Sequence, residues 1–126
     1  MADAVVTITA RKKMVRARAG AITLPKIVGM AFGSGAVDIA GVPVVPSMDD
    51  TVLKHEIFRK EIDSYAFLDE TKCRYLCTLT TSECAGENIN ELGLYDEDGD
   101  ILAIKTFANK TKDPDLEMTF QVDDIF

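Results

Sequence analysis

The stretch that decides the fold is residues 89–107, INELGLYDEDGDILAIKTF, which predicts a β-hairpin. Its centre, residues 96–100 (DEDGD), is typical of a three-residue loop, because acidic residues favour a type I turn and glycine accepts the left-handed position after it. If Asp96 lies opposite Asp100, the alternation of side chains along a strand fixes the rest of the register. A slip by one residue would set Lys105 against an apolar residue. The predicted pairs are Tyr95 with Ile101, Leu94 with Leu102, Gly93 with Ala103, Leu92 with Ile104, Glu91 with Lys105, and Ile89 with Phe107.

Composition limits the class of protein. With 126 residues, of which 47% are hydrophobic, the chain is long enough for one domain with one core. The net charge of −7 argues against nucleic acid as a partner, because phosphates would repel an acidic surface. No apolar run is long enough to span a membrane, and the N-terminus lacks a signal-peptide core. We therefore expect synthesis in a cytoplasm and no membrane partner.

The N-terminal third predicts one helix and one strand. Residues 9–18 favour a helix capped by Thr9 and stopped by Gly20, although a continuation of a strand over residues 5–9 is the alternative. Residues 21–32 are rich in strand formers, but Pro25 cannot donate a hydrogen bond to a sheet. That segment is therefore either an edge strand or a strand that begins after Pro25.

The remaining segments predict mostly strands. Residues 37–46 indicate a loop, and Ser47 is a candidate cap for one helical turn reaching residue 53. Residues 55–68 favour a single strand anchored by Phe58, Ile62 and Phe67. Residues 72–81 and 116–123 alternate between apolar and polar side chains. The sequence thus predicts an α+β fold for residues 1–126, a single domain dominated by an antiparallel β-sheet or sandwich with a short N-terminal helix.

Candidate metal and catalytic motifs favour structural interpretations. In the acidic turn, glycine comes fourth and position twelve is Phe107, whereas a calcium-binding EF-hand loop needs glycine sixth and glutamate twelfth. The cysteines at 73, 77 and 84 form no zinc spacing, and the first two lie on the apolar side of a strand. Neither the single histidine, His55, nor the glycines between 29 and 35 complete a nucleophile or phosphate-binding motif. We expect no catalysis, no cofactor and no metal.

A dense group of cations is the main candidate for binding. Five of the fourteen basic residues lie within eight positions, which is consistent either with a solvated helix face or with docking onto an acidic partner. In an acidic protein, that partner could be a second copy of the chain. The members of this basic cluster are Arg11, Lys12, Lys13, Arg16 and Arg18.

The hairpin also resembles a known family, the N-terminal domains of phage tail-collar fibre proteins. The similarity extends in order over residues 20–126, through segments 26–35, 51–62, 107–112 and 116–120. Residues 85–88 depart from the family's pattern, which often has an aromatic residue there. The positions that carry the resemblance are Gly33, Gly35, Glu56, Arg59, Glu91, Leu92, Gly93, Leu94, Tyr95, Asp98 and Gly99.

The resemblance implies a non-enzymatic structural component of a phage tail or prophage tail that attaches a fibre to the baseplate. By analogy with fibres it implies a homo-oligomer, a trimer, that contacts baseplate or tail-fibre proteins. Its location would be the virion tail or a tail-like particle made in the bacterial cytoplasm. Because family members often continue into a shaft and this sequence ends at Phe126, we expect an attachment module without receptor binding. The alternative function is a small ligand-binding or carbohydrate-binding β-rich module.

Overall fold

The computed structural model describes residues 3–126, which form two antiparallel sheets and one helix. The elements are β1 (Asp3–Val6), α1 (Ile8–Arg18), β2 (Ile27–Gly33), β3 (Glu56–Glu61), β4 (Ser64–Asp69), β5 (Lys72–Leu79), β6 (Asn88–Asp96), β7 (Ile101–Thr111) and β8 (Met118–Ile125). The large sheet has the strand order β1-β7-β6-β2-β3, and the small sheet has the order β4-β5-β8. This architecture confirms the predicted α+β fold.

The predicted hairpin is β6–β7, and it forms the centre of the large sheet. At the turn the prediction is confirmed: the Asp96 amide donates to the Asp100 carbonyl at 3.1 Å, and Tyr95 lies opposite Ile101. Gly99 has a φ of +84°, the left-handed conformation that glycine adopts without a steric penalty.

Beyond the turn the predicted register is wrong by one residue. The pairing shifts between Tyr95 and Leu94, so that Leu94 lies opposite Ala103 and Leu92 lies opposite Lys105. Such a shift is a β-bulge, here an extra residue in β7. The other predicted pairs fail for the same reason, with a second shift nearer the strand ends. The observed pairs there are Gly93 with Ile104, Glu91 with Thr106, and Ile89 with Lys110.

The register prediction failed because it continued the pairing from the turn without a bulge and excluded Lys105 from a position opposite an apolar residue. Both faces of β6 are buried, so the alternation of apolar side chains no longer distinguishes two registers. Lys105 is tolerated opposite Leu92 because its ammonium reaches the Gln121 carbonyl at 3.1 Å. The long lysine side chain covers apolar surface with its methylenes and places its charge at a polar group.

Two layers cover the central hairpin. On one face the main core lies between the hairpin and the small sheet. There the Phe120 ring of the small sheet packs against Phe32 and Phe107 of the large sheet, with centroid distances of 5.4 and 6.4 Å, respectively. On the other face a smaller cluster packs under Leu53, which belongs to the long segment between β2 and β3. Cys77 lies on the buried face of β5, as its alternating pattern predicted.

The helix is confirmed, with its start two residues earlier than predicted. Thr7, not Thr9, is the N-cap: its Oγ1 accepts from the Ala10 amide at 3.2 Å and donates to the Ile101 carbonyl at 2.9 Å. A buried threonine therefore both caps α1 and ties it to β7. α1 is too short and too polar to cross a membrane, and no other helix is present in residues 3–126.

Three further expectations are corrected or resolved by the structure. β2 begins after Pro25 but lies inside the sheet, between β6 and β3. Residues 47–50 form a turn rather than helix, closed by the Asp50 amide on the Ser47 carbonyl. Residues 55–68 form two strands, because the Ile62 amide bonds to β2 and the next amide, that of Asp63, bonds to β5. The chain changes sheets between those two residues.

Candidate functional site

Lys13 differs from the other members of the basic cluster because its side chain binds the hairpin turn. Its ammonium lies 2.6 Å from Asp96, 2.7 Å from Asp100 and 3.1 Å from Asp98. Burial opposes the charge of Lys13, but the three carboxylates outweigh burial and raise its pKa. These carboxylates are close enough together to hold a cation, and the ammonium supplies that charge. Lys13 therefore fixes α1 to β6–β7.

The four other cations of the basic cluster lie on the outward face of α1. Arg11, Lys12, Arg16 and Arg18 are exposed, and they form no ion pair with any residue from 3 to 126. Val15 lies among them with 68% of its surface exposed. We call this surface the outward basic face: four positively charged side chains surround one apolar side chain. Charges of one sign this close together repel each other, which favours binding of an acidic partner.

Glu91 organises the segment that follows β2. The buried carboxylate accepts from the amides of Gly35 at 2.9 Å, Lys54 at 2.8 Å and His55 at 2.9 Å. Glycine is required at position 33, because a Cβ there would lie 2.6 Å from the Glu91 side chain. Three donors satisfy the buried charge and hold both ends of the 34–55 segment against the hairpin.

Asn90 makes a second set of contacts to the same segment, and the sequence analysis missed it. Its side chain accepts from the Ala36 amide at 2.8 Å and donates to the Ser34 carbonyl and to Asn109. An asparagine inside a predicted strand was the available signal, because asparagine is depleted in strands. Buried side-chain polar atoms in the described part of the chain all have partners.

Arg59 connects the edge of the large sheet to the hairpin turn. Its guanidinium binds Glu56 in a fork at 2.8 and 2.9 Å, donates to the Gly99 carbonyl at 3.0 Å, and lies 4.5 Å from the centre of the Tyr95 ring. The hydrogen bonds to Glu56 raise the pKa of Arg59. Gly29 makes room for the ring, since a Cβ there would fall 2.0 Å from Tyr95 Cζ.

Three of the remaining motif positions, Leu92, Gly93 and Leu94, are buried. Leu92 and Leu94 lie in the main core, and a Cβ on Gly93 would crowd Ile101 and Leu53 at 3.1 and 3.2 Å. Asp98 belongs to the Lys13 contacts. Most of the residues that carry the family resemblance therefore have a structural role within the domain.

The largest exposed aromatic surface is on β4. Phe67, expected to anchor a core, has 76% of its surface exposed, and its ring packs edge-on against Tyr65 at 5.8 Å. β4 is an edge strand of the small sheet, and neither core cluster includes any of its residues. A groove of about 460 Å³ borders this strand between α1 and the C-terminus.

The fold and these contacts define a β-sheet domain with a rigid, internally bonded framework and open surfaces, an arrangement suited to assembly with other chains. A model of the phage tail-collar fibre protein family, N-terminal region, matches residues 1–122. The chain belongs to this family and is a structural protein of a phage tail. A comparison with curated proteins gave no match.

Proposed function

We propose that the protein attaches a tail fibre to the baseplate and has no catalytic activity. The proposal is supported by membership of the tail-collar fibre family together with one surface, the outward basic face of α1. Lys13 holds that helix against the hairpin turn, so the face is presented on a rigid support. Because the helix backbone is already ordered, binding would require ordering only of the side chains.

The partner of the outward basic face is an acidic surface of a baseplate or fibre protein. Four cations around Val15 would pair with carboxylates and cover one exposed aliphatic side chain. Opposite charges at such an interface accelerate association and select the partner. We further propose that the protein is a homo-oligomer, a trimer by analogy with fibres, within the virion tail or a tail-like particle.

The proposal of no catalysis is supported by the roles of the buried acidic groups. Glu91 is surrounded by backbone amides, and Asp96 binds Lys13. These groups already have structural partners, unlike a general acid or base, which must exchange a proton with substrate.

The test is tail assembly with a variant in which Arg11, Lys12, Arg16 and Arg18 are replaced by glutamine. We expect electron micrographs to show tails with few or no fibres, while the variant melts at the wild-type temperature because the four side chains are exposed. The matched control replaces other exposed lysines, Lys26, Lys54 and Lys110, and should leave fibre occupancy unchanged. Normal occupancy in the α1 variant would contradict the proposal.

A further inference from the structure

The open edge of β4 has little of the protection that strand edges usually have. All six residues of β4 are exposed, and alternate residues of an edge strand direct their amide and carbonyl groups away from the sheet. Tyr65, Phe67 and Leu68 are 60%, 76% and 46% exposed. Proteins usually block such an edge with lysine, proline or a bulge, because it pairs readily with another strand. β4 has no lysine or proline, and its one register shift lies at its end, between Phe67 and Asp69.

The other open edges within residues 3–126 have that protection. β1 has only four residues. β3 carries Arg59 and Lys60, which are held in ion pairs with Glu56 and Glu83. On β8 the Lys105 ammonium binds the Gln121 carbonyl, and Asp123 adds charge. The exposure of β4 is therefore a local property of that strand.

We propose that β4 binds an extended segment of another protein that is apolar at its centre and carries lysine or arginine at its ends. The added segment would continue the small sheet, with backbone hydrogen bonds providing affinity and side chains providing selectivity. The central apolar residues would match the aromatic side chains of β4, and the terminal cations would match its flanking charges. Asp63 precedes the strand, and Asp69 and Glu70 end it. Within residues 3–126, Asp63 and Asp69 accept hydrogen bonds only from the amide of Thr78 and from Thr71, respectively, so both carboxylates keep their negative charge without a cation in contact.

The same flanking charges disfavour a second copy of the chain as the occupant. A symmetric antiparallel pair centred on Ala66 would set Asp63 of one copy opposite Asp69 of the other, at both ends of the ribbon. Like charges directly opposite each other destabilise a strand pair. A foreign segment with basic ends would instead place a cation beside each carboxylate.

The groove beside β4 provides space for side chains of the added segment. Tyr65 belongs both to the strand and to the groove wall, so the two surfaces are continuous. Apolar side chains form most of the wall, which favours an aliphatic side chain over a charged one. The other apolar members of the wall include Leu24, Pro25, Ile27, Tyr75 and Phe126.

This inference does not depend on the proposed function. The outward basic face of α1 would bind an acidic surface, whereas β4 would bind a segment with basic ends. The two contacts therefore require partners of opposite charge, and a variant of one surface should leave the other contact unchanged.

The probe is a fluorescent peptide of alternating valine and threonine with two lysines at each end. A matched peptide has glutamates at its ends. We expect fluorescence anisotropy to show the lysine peptide binding at least about tenfold more tightly, and NMR to show the amide shifts concentrated in β4. Absence of binding, or equal binding of the two peptides, would overturn the proposal.

Variants test whether the strand edge is the binding surface. Phe67→Lys places a charge on the exposed edge and should weaken binding of the lysine peptide by about tenfold or more, with unchanged melting temperature. Val52→Lys, at another exposed apolar position, is the matched control and should bind as the wild type does. If light scattering instead shows a dimer that Phe67→Lys dissociates, a second copy occupies the edge and the proposal is wrong.

Discussion

The domain contains two hairpins whose strands pair in the same antiparallel way but whose surroundings are opposite. In β6–β7 the strand β6 is buried on both faces, between the small sheet and the segment that Glu91 holds in place. In β4–β5 the outer strand is exposed along its whole length. The family motif is concentrated on the first hairpin, and the exposed aromatic residues are on the second. Residues that define a family can therefore maintain its shape rather than form its exposed aromatic surface.

The largest difference between the two hairpins should appear when the same residue type is truncated in each. Phe107 on β7 is 8% exposed and packs against Phe120, so Phe107→Ala should lower the free energy of unfolding by about 3–5 kcal/mol. Phe67→Ala on β4 should change it by less than about 0.5 kcal/mol. Urea denaturation measures both values. Equal losses would mean that β4 also contributes to the core.

The next largest effect should follow from removing the acceptor at position 91. Glu91→Leu would leave the amides of Gly35, Lys54 and His55 without their hydrogen-bond acceptor. Each unsatisfied amide should lower the free energy of unfolding by roughly 1–3 kcal/mol. Glu91→Gln is the control, because it retains one carbonyl acceptor and should lose less. Hydrogen exchange should also become faster in residues 34–55. Unchanged exchange there would show that the carboxylate does not hold the segment.

A smaller loss of stability is expected from a substitution at Gly29, over which the Tyr95 ring lies. Gly29→Ala would force the ring away from its place under Arg59, costing about 1–3 kcal/mol of stability. Tyr95→Ala should also destabilise the domain, but the double variant should be more stable than the sum of the two losses predicts, because the clash is gone. Strict additivity of the two losses would contradict the contact.

The smallest predicted effect is a pH dependence of the free energy of unfolding, caused by an ion pair at the junction of the two sheets. The Lys60 ammonium, 2.8 Å from Glu83, holds the pKa of Glu83 below its ordinary value. Glu83 thus contributes stability above the ordinary glutamate pKa, and that contribution is lost as pH falls through the lowered value. The pair is partly exposed, so the loss should be at most about 1 kcal/mol. Glu83→Gln should flatten this part of the stability profile between about pH 5 and pH 2.

The sequence was sufficient to predict the elements that depend on local chemistry. The acidic turn with Gly99, the strand beginning after Pro25 and the N-terminal helix are all confirmed, because turn conformation, proline geometry and helix propensity act within a few residues. The family resemblance is confirmed as well.

Features set by distant contacts could not be predicted in the same way. Lys13 was grouped with its neighbours in sequence, but its partner Asp96 is 83 residues away. The register of β6–β7 differs from the prediction because a bulge adds one residue to β7, and the Gln121 carbonyl that binds Lys105 in this register lies outside the hairpin. The exposed Phe67 lies on the edge strand that follows the change of sheets at residue 63, and no periodicity in residues 55–68 indicates that change.

The contrast between the hairpins is tested most directly by native-state hydrogen exchange, which reports the free energy of opening at each amide. The amides of Leu92 and Leu94 in β6 should exchange only through global unfolding. The amides of β4 that point away from β5 should exchange many times faster, since the structure gives that edge no partner within residues 3–126. Protection of β4 equal to that of β6 in the isolated protein would contradict the view that one hairpin forms the framework and the other is an open surface.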